Sequence, residues 1–125
     1  MRFRSIIVRI LLKLIRLVPR GIVRWGFATM SYAIPLKKLR QTDTLLAFYH
    51  PNPAYPVHIL IVPRQAIAGL ESLDESDQEF MVDLFAAVRS LVAELDLVSR
   101  GYRLIANGGS YQEFPQLHFH LICEV

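Results

Sequence analysis

Hydrophobic positions change period several times along the 125 residues. Over 5–18, SIIVRILLKLIRLV, the charges Arg9, Lys13 and Arg16 recur at four and three residues and share one face of a helix. Ile6, Ile7, Ile10, Leu11, Leu14, Leu17 and Val18 cover the rest, and Pro19 is a stop. GIVRWGFATM, 21–30, reads as a second short helical piece. From Ile34 onward the texture is that of strands. PLKKLRQ (35–41) and TLLAFYH (44–50) flank turn chemistry at Thr42-Asp43. HPNPAYP (50–56), with three prolines, is a loop, and VHILIVP (57–63) is an apolar, β-branched run that reads as a buried strand. Residues 75–97 form the clearest helix: Phe80, Met81, Leu84, Phe85, Val88, Leu91, Val92 and Leu95 recur at three and four, with acids in the first turn. YRLIANGG (102–109) is a strand ending in Asn-Gly-Gly, and QLHFHLICEV (116–125) is a final strand. The pattern predicts an α+β domain over 34–125, an antiparallel sheet covered by one long helix, preceded over 1–33 by a basic amphipathic helical extension.

Composition narrows this to one small globular domain: 53% of residues are apolar and 20% charged. A single cysteine excludes a disulfide framework and any multi-cysteine zinc site. Charge is segregated. Residues 1–40 hold ten of the fourteen basic residues and none of the eleven acids. Such an arm meets something anionic, such as a membrane surface or nucleic acid. No uncharged run approaches the ~20 residues that span a bilayer, and Arg9, Lys13 and Arg16 interrupt what would be the apolar core of a signal peptide. Two readings of the arm stand side by side. One is a helix lying in an anionic membrane interface through residues 2–20; the other is a helix packing on its own domain or on a second copy.

The candidate chemistry is in four histidines, His50, His58, His118 and His120. On a strand, Gln116, His118 and His120 share one face and Leu117, Phe119 and Leu121 the other, so the apolar set faces the core. Three readings fit this spacing: a metal site with His58 as third ligand, a phosphorus nucleophile working through a phospho-histidine, and plain polar-face residues. No glycine-rich phosphate loop or dinucleotide fingerprint is present.

QEFPQLHFHLI (112–122) resembles the signature of the histidine-triad (HIT) superfamily, His-φ-His-φ-His-φ-φ at the end of a strand. IPLKKLRQTDTLLAF (34–48) resembles the family's first hairpin, and NPAYPVHILIVPRQAI (52–67) its proline-containing loop and following strand; the long helix and RLIANGG follow in order. The resemblance implies that His118 is the nucleophile toward the α-phosphorus of a nucleotide, forming a nucleotidyl-histidine that water then cleaves. It makes His120 a phosphate contact, His58 a support for the nucleophile's imidazole, Asn107 and Gln112 groups near the phosphate and leaving group, and Phe48 an apolar floor under the base. It implies no cofactor or obligatory metal, a nucleotide or nucleotide conjugate as ligand, no specific nucleic acid, a homodimer and a cytoplasmic protein; the basic arm lies outside the resemblance, and its charge pattern is what would hold the protein peripherally at the inner membrane face.

Two positions depart from the family pattern. Gln116 stands where the first histidine belongs; an amide can donate to a phosphate oxygen but cannot become cationic or pass a proton. His50 stands where the family often has an aspartate on the ribose hydroxyls, and an imidazole bonds one hydroxyl rather than chelating two. These departures carry the alternative reading, a nucleotide-binding or adaptor protein on the same scaffold with weak or no catalysis.

Overall fold

The structure is a computed structural model and describes residues 37–125. The helical pieces expected over 5–18 and 21–30, the amphipathic extension and its boundary at 33 lie outside the described residues. The rest is one five-stranded antiparallel sheet: β1 (Lys38–Gln41), β2 (Leu45–Tyr49), β3 (Val57–Pro63), β4 (Arg103–Ile105) and β5 (Phe119–Cys123), in the order β1-β2-β3-β5-β4. One long helix, α1 (Gln78–Glu94), and a single following turn, α2 (Leu97–Arg100), lie between β3 and β4 in the chain. The α+β fold with one long helix is as the sequence pattern predicts. Among the described residues no helix is long and apolar enough to cross a membrane.

Local chemistry fixes each junction. Thr42 closes the β1–β2 turn: its Oγ1 accepts from the Thr44 and Leu45 amides, while the Thr42 amide donates to the Leu45 carbonyl. The Thr44 hydroxyl then donates to Asp83 on α1 at 2.6 Å, tying the hairpin to the helix. The helix begins later than the acid-rich stretch predicts. Asp74 and Asp77 form a reciprocal capping box around a 3-10 turn, Glu75–Asp77, and the α-helix starts at Gln78. It ends where Asp96 turns left-handed, φ 54°.

The strands put alternate residues on opposite faces. Leu45 and Ala47 of β2, Val57, Ile59 and Ile61 of β3, and Phe119, Leu121 and Cys123 of β5 pack with Phe80, Leu84, Val88 and Leu91 of α1 in the main core. Full burial of one such aliphatic side chain contributes about 1.5–3 kcal/mol. On the opposite face Leu46, Phe48 and Val62 form a second, smaller cluster with Leu60 against it. The histidines lie beside that cluster on the same second face.

Candidate active site

Register assembles the histidines. β2 pairs with β3 so that Tyr49 faces Ile59, and the next step sets the His50 amide on the His58 carbonyl at 2.8 Å. β3 pairs with β5 with His58 opposite Ile122 and Leu60 opposite His120, which makes His58 and His120 diagonal neighbours on one face. His118 lies two residues before His120. Four imidazoles from three strands or their ends thus converge. His50 stacks on His58 with centroids 4.3 Å apart, and His120 lies 5.1 Å from His58 and 5.0 Å from His118.

Hydrogen bonds fix the tautomers of the neutral rings. The Ala54 amide donates to His58 Nδ1 at 3.1 Å, so the His58 proton sits on Nε2. That N–H faces His120 Nδ1 at 2.9 Å, which leaves the His120 proton on Nε2. The Asn52 amide donates to His50 Nδ1 at 2.9 Å, so His50 also carries Nε2–H. His118 is the opposite case. Its Nδ1 is 2.8 Å from the Gln116 backbone carbonyl, which can only accept, so Nδ1 holds the proton and Nε2 keeps a free lone pair. Among the described residues nothing bonds that nitrogen.

The surroundings keep most of these rings uncharged. Burial first, then repulsion from the His58 and His118 imidazoles, lowers His50 from 6.5 to about 4. Burial and then repulsion from His118, His58 and His50 lower His120 to about 4. Burial lowers His58 as well.

The imidazoles open on a cleft of about 320 Å³. His50, His118, His120 and Asn107 line it, with Leu60 and Val62 as its apolar wall and Pro51, Tyr111, Glu113 and Phe114 closing the rim. Not every expected site residue is there. His58 stands behind His120 and bonds it rather than His118, whose support is the Gln116 carbonyl. Phe48 is buried in the second cluster beneath the wall. Gln112 donates through Nε2 to the Ala68 carbonyl at 2.7 Å and to the Phe114 carbonyl at 3.0 Å, so its amide protons are taken.

Gln116 is the clearest departure from the sequence expectation. Its side chain does not join the row of His118 and His120. It is fully buried, accepts from the Ile67 amide at 3.2 Å and donates to the Gln65 carbonyl at 2.8 Å. The final strand starts only at Phe119, because Leu117 donates to the Ile67 carbonyl and the chain after Pro115 runs along the 65–67 loop before it meets β3. Alternation across 116–120 therefore does not hold at its first position.

Sequence reasoning passed over Leu60, Val62, Tyr111, Glu113 and Phe114. The first two were legible: within VHILIVP they alternate with Ile59 and Ile61, although an apolar run on both faces hides the alternation. The other three sit in a loop with no periodic signal. Among the described residues no group of three His, Cys, Asp or Glu side chains is arranged to hold a metal ion; His58 Nε2 and His120 Nδ1 are spent on each other.

The profile of the HIT domain matches residues 32–124. The chain belongs to the HIT family. A HIT-like protein of Azospirillum brasilense is 35% identical over 91 residues, spanning 70% of this chain and 75% of its own. Among solved structures, a HIT family hydrolase from Clostridium thermocellum superimposes with a TM-score of 0.71 at 31% identity, over 79% of this chain and 89% of its own. A histidine triad nucleotide-binding protein from Candida albicans gives 0.66 at 27% identity, over 76% and 71%. The HIT neighbours thus include hydrolases and nucleotide-binding proteins.

Proposed function

We propose that this HIT protein hydrolyses or transfers nucleotidyl groups at the α-phosphate through a covalent intermediate on His118. The observation that carries the reading is the tautomer of His118: Nδ1–H is held by the Gln116 carbonyl, and the lone pair on Nε2 is free in a ring that lines the cleft. Nε2 attacks phosphorus and the P–Nε2 bond forms as the bond to the leaving group breaks; the departing atom takes a proton from solvent. Water then attacks phosphorus, the P–Nε2 bond breaks and a proton returns to solvent. The imidazolium formed in between keeps its Nδ1–H on the carbonyl, which stabilises it. His120 Nε2–H, oriented by His58 behind it, donates to a phosphoryl oxygen. His50 Nε2–H offers one hydrogen bond to the sugar, and Leu60 and Val62 are an apolar surface for the base, with Phe48 supporting them from below.

The test is incubation with adenosine phosphoramidate and with dinucleoside polyphosphates, an alkaline quench, and mass spectrometry of the peptide that contains His118. An adenylyl mass on that histidine supports the reading. Nucleotide binding without adduct or turnover replaces it with the binding or adaptor reading.

Two further parts of the reading concern association. A homodimer is supported by exposed apolar side chains, Val82 and Phe85 one helical turn apart on α1, Val98 on α2 and Tyr102 before β4, with β4 pairing on one side only among the described residues. Phe85→Glu lowers the mass measured by sedimentation equilibrium if this face is the interface. The basic arm is the element for an anionic membrane surface at the cytoplasmic side. Neutralising Arg9, Lys13 and Arg16 in the full chain then removes salt-sensitive sedimentation with anionic vesicles.

A further inference from the structure

Among the described residues the cleft offers an anion no fixed cation. Of the side chains lining it among the described residues, none is a lysine or arginine. The rings of His50 and His120 stay neutral at pH 7. Arg103 lies on the same sheet face, opposite Ile122, but it is exposed and pairs with Glu124 at 2.7 Å. The one carboxylate on the cleft wall is Glu113.

Glu113 is held in place from both sides. Before it, the Gln112 side chain is fastened to the Ala68 and Phe114 carbonyls. After it, the Phe114 ring meets His118 edge-on, with centroids 6.5 Å apart and planes at 76°. The backbone at 113 is therefore fixed relative to the nucleophile, whereas the Glu113 carboxylate itself makes no hydrogen bond or ion pair among the described residues. A free carboxylate beside a phosphoryl-transfer centre acts on whatever enters the rim, repelling anions and attracting cations over the distance of a Debye length.

We propose that Glu113 sets the charge of the leaving group. It favours nucleotide conjugates in which the amine bonded to phosphorus bears a further, cationic nitrogen, and it disfavours polyphosphate leaving groups. This rests on the nucleotidyl-transfer reading above and deepens it: that reading places the bond that breaks at phosphorus, and Glu113 selects what departs. In the transfer step P–N breaks as P–Nε2 forms, the amine leaves after taking a solvent proton, and the distal ammonium remains charged beside the carboxylate throughout.

Three adenosine phosphoramidates test the proposal, with N-pentyl, N-(5-aminopentyl) and N-(4-carboxybutyl) groups that differ chiefly in distal charge. The full chain should turn over the cationic probe about fivefold better in kcat/KM than the neutral one, and the neutral one better than the anionic by a similar factor. High salt should compress both ratios. Glu113→Gln should bring the three rates together, and Glu113→Lys should invert their order. Equal charge ratios in the wild type and Glu113→Gln overturn the proposal while the catalytic reading stands. If no probe is turned over, displacement of a fluorescent adenosine monophosphate reads the same order as affinities. A charge order that depends on Glu113 there keeps the selectivity and removes the catalysis; no order, or no binding, overturns the selectivity as well.

Discussion

The two faces of this sheet are made from the same strands and put to opposite uses. On the α1 side, Ile59, Ile61, Leu121 and Leu91 are fully buried, and the buried side chains that β2, β3 and β5 contribute there are apolar. On the other side the apolar residues, Leu46, Phe48 and Val62, fill one part, and imidazoles fill the part beside them. The first face is held by packing, which tolerates volume-conserving change. The second is held by a chain of directional bonds, Ala54 amide to His58, His58 to His120, and Asn52 amide to His50. Since alternate residues of one strand serve both, a slip of one residue in β5 would send His120 into the core and Leu121 into the cleft. The packing of one face thereby fixes the register of the other's chemistry.

The strongest break in this comparison comes from His118. His118→Ala removes the only free imidazole lone pair shown in the cleft and should abolish turnover and the covalent adduct, with the thermal midpoint little changed. His120→Ala removes a donor to the phosphoryl group and should lower kcat by about 10²–10³. Stopped assays with adenosine phosphoramidate measure both; equal, small losses in the two variants would remove His118 from the nucleophile's place.

The mirror experiment is on the helix side. Leu91→Ala leaves a cavity in the main core and should cost about 2–5 kcal/mol of stability in a denaturant titration. Its kcat/KM per folded molecule should stay at the wild-type value, because Leu91 belongs to the core on the α1 side of the sheet and does not line the cleft. A loss of catalysis larger than the loss of folded protein would show the two faces to be coupled.

How much of each face was legible follows from what makes it. The core came from periodicity: 3.6 on residues 75–97, the apolar runs at 44–50 and 57–63, and the alternate positions Leu117, Phe119 and Leu121 each mark a buried stripe. His118 and His120 followed from alternation, His58 from its spacing as a third ligand and then from the resemblance, and the role of His50 from the resemblance alone. Bond directions were not legible. A sequence does not tell that His58 serves His120, that the His118 support is a backbone carbonyl, or that Glu113 stands in the rim, because these depend on where loops 50–56, 64–69 and 106–118 turn.

The two faces also differ in how they respond to pH. His50 and His120 titrate near 4 when folded and near 6.5 when not. Below 6.5 the unfolded chain takes up protons that the folded site refuses, so the folded state loses stability as pH falls from about 6.5 toward 4, and the contribution is fully present above 6.5. Thermal midpoints between pH 4 and 8 should fall on the acid side for the wild type and less steeply for His50→Gln. Leu91→Ala should run parallel to the wild type, lower but with the same slope, since leucine does not titrate. A His50→Gln curve as steep as the wild type's would mean that the stacked imidazoles are not what resists protonation.

The smallest effect is expected where the sequence pattern departs most visibly from the family. Gln116 accepts from the Ile67 amide and donates to the Gln65 carbonyl. A neutral imidazole has one donor and one acceptor, the same inventory. A histidine could therefore replace glutamine as a strut between the final strand and the 65–67 loop, where the side chain is buried and does not line the cleft. Gln116→His should leave kcat within about threefold, well below the 10²–10⁴ that a positioned acid supplies. Gln116→Leu should be different: it leaves a buried amide and carbonyl without partners and should cost about 1–3 kcal/mol of stability for each. Turnover per folded molecule should persist there, because the carbonyl that orients His118 belongs to the backbone. A rise of one or two powers of ten in Gln116→His would instead mean that the side chain at 116 takes part in the chemistry, and that the buried strut is only one of its positions.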